Sequence, residues 1–313
     1  RPVHEAPSPP SQGSSSVSSS RTRLGLAALT ALVVGSMIGS GIFALPSQMA
    51  GSAAPGPLLI GWLITGVGML MLAFVFQTLA SRKPEVDGGV YGYARAGFGN
   101  YIGFTSAWGY WVSAWVGNVA YLVLLFSTLG YFFPTFEGGA TGSAIVGASI
   151  LLWIVHAMTL RGVQTAAVVN TLVTIAKVVP ILTFIAIAAV GFKSGVFTAD
   201  FWGETTQIDG VSLGTTMDQV KNMMLVTVWV FIGIEGAAVY SQQARKRRDV
   251  GSATVLGFVG VLALLLLVNL LSYGLMTQAK LAGLSDASMA DLMENQVGHW
   301  GSTFISIGLV VSL

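Results

Sequence analysis

The 313-residue chain is 53% hydrophobic and only 9% charged, with 39 glycines, no cysteine and a formal net charge of +2. That balance excludes a water-soluble globular domain, where about a quarter of residues carry charge, and the missing thiols exclude a disulfide scaffold and cysteine chemistry. His4, His156 and His299 form no metal-ligand spacing, so no metal and no cofactor is expected. The composition predicts an all-α polytopic membrane protein.

Residues 1–23 hold Pro7, Pro9, Pro10 and a serine-rich tract, too little apolar surface to offset the entropy of ordering, and read as a disordered cytoplasmic tail. They lack the pattern of a signal peptide. A first span is predicted over residues 24–50, an outer turn at Pro55-Gly56-Pro57, and a second span over 58–79. Residues 82–100 form an inner connection in which a short interfacial helix sets Tyr91 and Tyr93 at the lipid boundary and Arg95 in water. The third span, 101–132, carries Trp108, Tyr110, Trp111, Trp115 and Tyr121. These either anchor and pack the helix or, through Tyr110, Asn118 and Tyr121, offer polar groups at internal depth.

A fourth span fits 142–159 and a fifth 166–190, the latter with Lys177 and Pro180 inside it. Residues 191–220 turn polar and read as an outer loop with room for a short helix over the translocation path. The sixth span covers 223–240 and the seventh 253–276; 277–300 is a polar outer connection, and an eighth span opens at Phe304 and is cut short at Leu313. The expected organisation is a tail (1–23), a first five-helix repeat (24–192), an extracytoplasmic connection (193–220) and an incomplete second repeat of helices 6, 7 and part of 8 (221–313), with further spans to follow.

Alternation places Arg21, Arg23, Arg82, Lys83, Arg95, Arg161, Arg245, Lys246, Arg247 and Arg248 on one side, which the positive-inside rule makes the cytoplasm. Glu137, Asp200, Glu204, Asp209, Asp218, Asp286, Asp291 and Glu294 fall on the other, offset by Lys193, Lys221 and Lys280. This distribution explains the net charge without a nucleic-acid partner. The acidic outer face would modestly concentrate cations.

Within the uncharged run 24–81, Gly39, Ser40 and Gly41 follow one another in Ser36-Met37-Ile38-Gly39-Ser40-Gly41-Ile42-Phe43. An unbroken helix is not expected there, and opening it frees backbone groups that need partners. Span six repeats the design at Trp229-Val230-Phe231-Ile232-Gly233-Ile234-Glu235-Gly236. Two broken helices with four crossings between them are what an inverted repeat requires; the alternative is two tight packing sites. Amides at Ser40 and Gly41 can receive a carboxylate, and carbonyls freed at Ile232 and Gly233 an ammonium group. Together they describe the common part of an amino acid, whose side chain would extend toward Ser113, Ala114 and Asn118.

Glu235, alone between Lys221 and Arg245, implies a wet path or proton role, or else a structural hydrogen bond fixing the broken helix. Lys177 poses the same choice, as a cation that stabilises the junction with span one or as a purely structural group. Trp229 can close over an aliphatic or cationic side chain, or simply pack. Tyr110 is a candidate second barrier.

Gly35 to Phe43, the connection from Gly88-Gly89 to Tyr93-Ala94-Arg95, Tyr110-Trp111, Trp115-Val116-Gly117-Asn118, and Trp229 to Glu235 followed by basic residues resemble the amino acid, polyamine and organocation (APC) transporter superfamily. Within it they are similar to bacterial basic amino acid antiporters of the arginine/ornithine and arginine/agmatine type. The resemblance implies a LeuT-like inverted repeat with discontinuous helices 1 and 6, exchange without covalent chemistry, and a multi-pass place in the bacterial cytoplasmic membrane with a cytoplasmic N-terminus. It implies a substrate carboxylate at Ser40 and Gly41, an amino group against the backbone of Met37, Trp229 and Ile232, and a distal cation near Ser113, Ala114 and Asn118. Trp229 and Tyr110 resemble gates, Glu235 an acidic gating or proton-responsive residue, and Lys177 the lysine that stands in place of sodium in sodium-independent relatives. The implied partners are a basic amino acid or related amine and membrane lipid, with a homodimer left open. Proton-coupled transport of lysine, histidine or an amine, and a non-transporting receptor or scaffold, are the alternatives.

Overall fold

Long apolar runs form helices because each backbone polar group is then bonded within its own segment. The computed structural model describes residues 24–86, 89–160, 163–234 and 245–312, with 163–172, Trp229 and Arg247 as backbone only. The described chain opens with α1 (Leu26–Met37), a 3-10 turn (Ser40–Phe43) and α2 (Leu45–Ala50). There follow α3 (Pro55–Arg82), α4 (Gly89–Phe98), α5 (Asn100–Gly130), α6 (Gly142–Leu160), α7 (Val163–Gly191), the short α8 (Ser194–Thr198) and α9 (Thr216–Val230). The chain resumes in α10 (Arg247–Tyr273), α11 (Gln278–Ala282), α12 (Ser288–Val297) and α13 (His299–Ser312). A small hairpin between α8 and α9 pairs Gln207 with Ser212 and Ile208 with Val211. Among the described residues, five helices are long and apolar enough to cross a membrane: α3, α5, α6, the 173–191 part of α7, and α10. The protein is an all-α, multi-pass membrane protein.

The core lies where α1, α3, α9 and α10 pack together. Leu29 and Val33 of α1, Leu58 of α3, and Phe258 and Val261 of α10 are buried, as is Phe231 just after α9. Trp62 meets Phe231 edge-on at 6.0 Å, and Phe231 meets Phe258 at 5.3 Å. In contrast, α5 and α6 turn large apolar side chains outward, Trp111 at 63% exposure and Trp153 at 70%, surfaces suited to lipid or to further helices.

Among the described residues, charges collect at the two ends of the α3 and α10 pair. At one, the Arg245 amide donates to the Leu24 carbonyl at 2.7 Å and Gly251 abuts Gln77, which brings the basic residues after α3 and before α10 together. At the other, Gly56 N–H donates to the Phe201 carbonyl at 2.7 Å and Lys193 N–H to the Gly274 carbonyl at 2.9 Å. Gln219 joins this end by accepting from the Ala54 amide at 2.9 Å. Asp200 sits there too, accepting from the amides and hydroxyls of Thr205 and Thr206 at 2.7 to 3.0 Å. Desolvation pushes its carboxyl up, but these hydrogen bonds outweigh it and hold the pKa at about 2.

Several boundaries differ from expectation. Pro55, Gly56 and Pro57 do not make the outer turn; they form the first turn of α3, with extended Ala54 before them, because a proline at the first helical position lacks an N–H that would be unpaired anyway. α9 starts at Thr216 rather than at 223. Thr215 and Asp218 cap it reciprocally, the Thr215 amide donating to the carboxylate at 3.1 Å and the Asp218 amide to the Thr215 hydroxyl at 3.3 Å. Residues 277–300 hold α11 and α12 rather than an open connection, and Ser288, Met289, Ala290, Leu292 and Met293 are buried. The last helix begins at His299, before Phe304.

Candidate functional site

After α1 the chain leaves the helix where glycine permits it. Ile38 turns out of α1 with ψ 88, Gly39 is extended at φ −83 and ψ 175, and the 3-10 turn begins at Ser40. The Ser40 and Gly41 amides open that turn, so no carbonyl precedes them in register. Ser40 is 2% exposed and its hydroxyl has no hydrogen-bond partner among the described residues.

α9 ends at Val230 and passes into a turn at 231–234 in which Gly233 has φ +106. The two breaks meet backbone to backbone. A Cβ on Gly233 would lie 2.5 Å from the Ser36 carbonyl oxygen and 3.1 Å from the Met37 nitrogen, so glycine is required by both dihedral and space. The Ser36 hydroxyl lies 2.9 Å from both the Val33 and the Gly233 carbonyl oxygens, either of which it can serve as donor.

Beside this junction is an open cleft, lined from the first broken segment by residues Ser36 to Gly39 with Gly41 and Ile42, and by Tyr121, Val230, Ile232 and Leu265. Met37, Gly41 and Ile232 therefore border it, while Ser40 lies buried between two lining glycines and Gly233 is buried behind, against Ser36. Ser113, Ala114 and Asn118 on α5 do not line it; Tyr110 is 51% exposed and also lies outside it. Residues 114, 118 and 121 share one helix face, and Tyr121 is the member of that stripe that reaches the cleft. A Cβ on Gly39 would sit 3.1 Å from the Tyr121 hydroxyl.

Lys177 is half-buried on α7. One turn earlier, Thr174 packs on α1, where a Cβ on Gly35 would lie 3.0 Å from its hydroxyl oxygen. The backbone of Trp229 lies in the last turn of α9, and Glu235 lies outside the described residues. Asn269, which sequence reasoning missed, is wholly buried one turn beyond Leu265; its amide donates to the Leu265 carbonyl at 2.8 Å while Oδ1 has no partner among the described residues. An uncharged asparagine in a predicted span gave the signal.

Among the described residues no three His, Cys, Asp or Glu side chains come together, so the cleft presents backbone amides, carbonyls and hydroxyls. Donors at Ser40 and Gly41 suit an anion, and the carbonyl ends of α1 and α9 suit a cation. The arrangement thus sets donors and acceptors, the complements of a carboxylate and of an ammonium group, on the two chain breaks.

A family model for amino acid permeases matches residues 24–313. The chain is 64% identical over 296 residues to the arginine/ornithine antiporter of Pseudomonas aeruginosa, covering 95% of this chain and 60% of that protein. It is 48% identical over 304 residues to the L-lysine transport protein of Corynebacterium glutamicum, covering 97% and 60%. With the arginine/agmatine antiporter of Chlamydia felis the identity is 44% over 297 residues, covering 95% and 61%. The chain thus spans about 60% of the length of these curated relatives. With a matching family model from end to end of its apolar sequence and a multi-pass helical fold, the chain belongs to the amino acid permease family, transporters of the APC superfamily rather than enzymes.

Proposed function

We propose that the whole protein is a secondary transporter of the cell membrane that exchanges basic amino acids, arginine entering against ornithine. The observation that carries this reading is the junction of the two chain breaks, where Gly233 packs on Ser36 beside a cleft and the Ser40 hydroxyl is buried without a partner among the described residues. The similarity to the Pseudomonas aeruginosa arginine/ornithine antiporter supports the substrate pair.

In this reading the breaks are the discontinuous helices 1 and 6 of a LeuT-like inverted repeat, and the basic end of the molecule, with the N-terminus, faces the cytoplasm. The substrate carboxylate takes Ser40 and Gly41, and its ammonium group takes carbonyls around Met37, Trp229, Ile232 and Gly233. Asn118 and Ala114 lie about 4.5 and 10.5 Å along the α5 axis from Tyr121, a span suited to a long basic side chain, with Ser113 beside them. Tyr110 and Trp229 gate the path, Lys177 braces α7 against α1 in place of a bound cation, and Glu235 carries the pH response.

Similarity to the lysine transport protein and the arginine/agmatine antiporter supports a second reading, proton-coupled transport of lysine or of an amine. Counterflow separates the two. Labelled arginine should enter vesicles containing the full-length protein much faster when they are preloaded with ornithine than when empty, with no ion gradient imposed. Equal entry rejects obligatory exchange.

A further inference from the structure

We propose that Tyr121 reads the substrate carboxylate and so selects amino acids over their decarboxylated amines; the inference rests on the exchange reading above. Tyr121 lines the cleft. Its hydroxyl lies 3.1 Å, and its Cζ 3.8 Å, from where a Cβ on Gly39 would stand, which sets the hydroxyl over the extended residue that precedes Ser40. No hydrogen bond among the described residues engages that hydroxyl. The neighbouring Ser40 hydroxyl, 2% exposed, is likewise without a partner among them.

The Tyr121 hydroxyl and the opening amides of the 3-10 turn thus gather at one short stretch of backbone, residues 39–41, which also carries the buried Ser40 hydroxyl, and among the described residues no lysine or arginine lines the cleft. A set of neutral donors without a compensating cation suits a compact anion that can accept several hydrogen bonds at once, which a carboxylate does. The ammonium and guanidinium ends of the substrate bring only donors; the hydroxyl oxygens can accept from them, but the Ser40 and Gly41 amides, themselves donors, cannot. An amine made by removing the carboxylate would enter the same cleft with the same distal cation, yet leave these donors unpaired. A site built to hydrogen-bond a substrate group rejects the analogue lacking it more strongly than an apolar pocket rejects a missing methylene. Gly39 is part of this device, because any side chain there would displace the hydroxyl.

The test is isothermal titration of arginine, ornithine and the decarboxylated amine of arginine into the full-length protein, as wild type and as Tyr121→Phe. Phenylalanine keeps the ring and its packing. Arginine and ornithine should bind roughly tenfold more weakly to the variant, with amine affinity unchanged, so that discrimination narrows by the same factor. Equal losses for amino acids and amine, no loss for either, or a wild type that binds the amine as tightly as arginine each overturn the inference.

Gly39→Ala supplies an independent arm should Tyr121→Phe not fold. In the wild-type background it should weaken arginine several-fold and spare the amine, and in the Tyr121→Phe background it should add nothing further. Additive losses overturn the proposal. A wild type that binds neither arginine nor ornithine rejects the exchange reading itself, a result told apart from these because it appears before any substitution is made.

Discussion

Replacing Gly233 with alanine should damage the protein more than any other single methyl addition near the cleft. The added carbon meets two penalties. An L-residue at φ +106 is strained by roughly 1–3 kcal/mol, and the new Cβ would stand 2.5 Å from the Ser36 carbonyl oxygen and 2.7 Å from its carbon. Those are backbone atoms, so relief requires α1 and the 231–234 turn to separate, which also breaks the contact between the Ser36 hydroxyl and the Gly233 carbonyl, worth about 1 kcal/mol. A total of roughly 3–5 kcal/mol follows, within the range of the most destabilising substitutions. The control is Gly68→Ala on α3, where an added Cβ meets nothing within 4 Å and alanine favours the helix. Thermal melting of the detergent-solubilised full-length protein and arginine binding by titration read the outcome. Gly233→Ala should lower the melting temperature clearly and weaken arginine more than tenfold, with Gly68→Ala near wild type. A Gly233→Ala protein that melts and binds like Gly68→Ala refutes the backbone junction as described.

Ser40→Ala should weaken arginine roughly fivefold to tenfold while leaving the melting temperature nearly unchanged, because the buried hydroxyl gives up no hydrogen bond among the described residues; a large stability loss without a binding loss would contradict it. Asp200→Asn should speed deuterium exchange at the Thr205 and Thr206 amides that the carboxylate accepts from, and unchanged exchange would show that the turn holds without the charge. Since the folded pKa of Asp200 is depressed to about 2, its contribution is complete above about pH 4 and is lost as pH falls toward 2, so wild-type protection of these amides should be flat from about pH 5 to pH 8. Lys177→Met should slow exchange at matched protein levels more than an outward-facing substitution such as Val179→Met on the same helix, and equal rates would remove the bracing role.

The crossings were legible because long uncharged runs permit few structures other than membrane helices. The interruption at Gly39 was legible for a related reason: consecutive glycine, serine and glycine in such a run cannot be explained by helix propensity. Which face of α5 meets the break was not, since a helix apolar on all sides gives no periodic signal; thus Tyr121, and not Asn118 or Ala114, borders the cleft. Residues 277–300 misled for the opposite reason. Asp291, Glu294 and Gln296 suggest a solvated loop, yet they alternate with buried Met289, Leu292 and Met293 on a docked helix, and the buried Ser288 hydroxyl accepts from the Ser47 amide at 3.2 Å. Pro55 reads as punctuation between elements in the sequence, where in the structure it starts one.

Substrate should occupy the cleft where the two breaks meet, and thiol protection at position 232 tests this most directly. The chain has no cysteine, so Ile232→Cys, at a cleft-lining and 51% exposed position, can report alone once any thiols elsewhere in the full-length protein are replaced. Val211→Cys, 69% exposed in the 207–212 hairpin, serves as reference. Arginine and ornithine should slow modification of the Ile232→Cys variant by a water-soluble thiol reagent, half-maximally at their own dissociation constants, and leave the rate for the Val211→Cys variant unchanged. Equal modification of the Ile232→Cys variant with and without saturating, demonstrably bound arginine would place the substrate elsewhere and contradict the account.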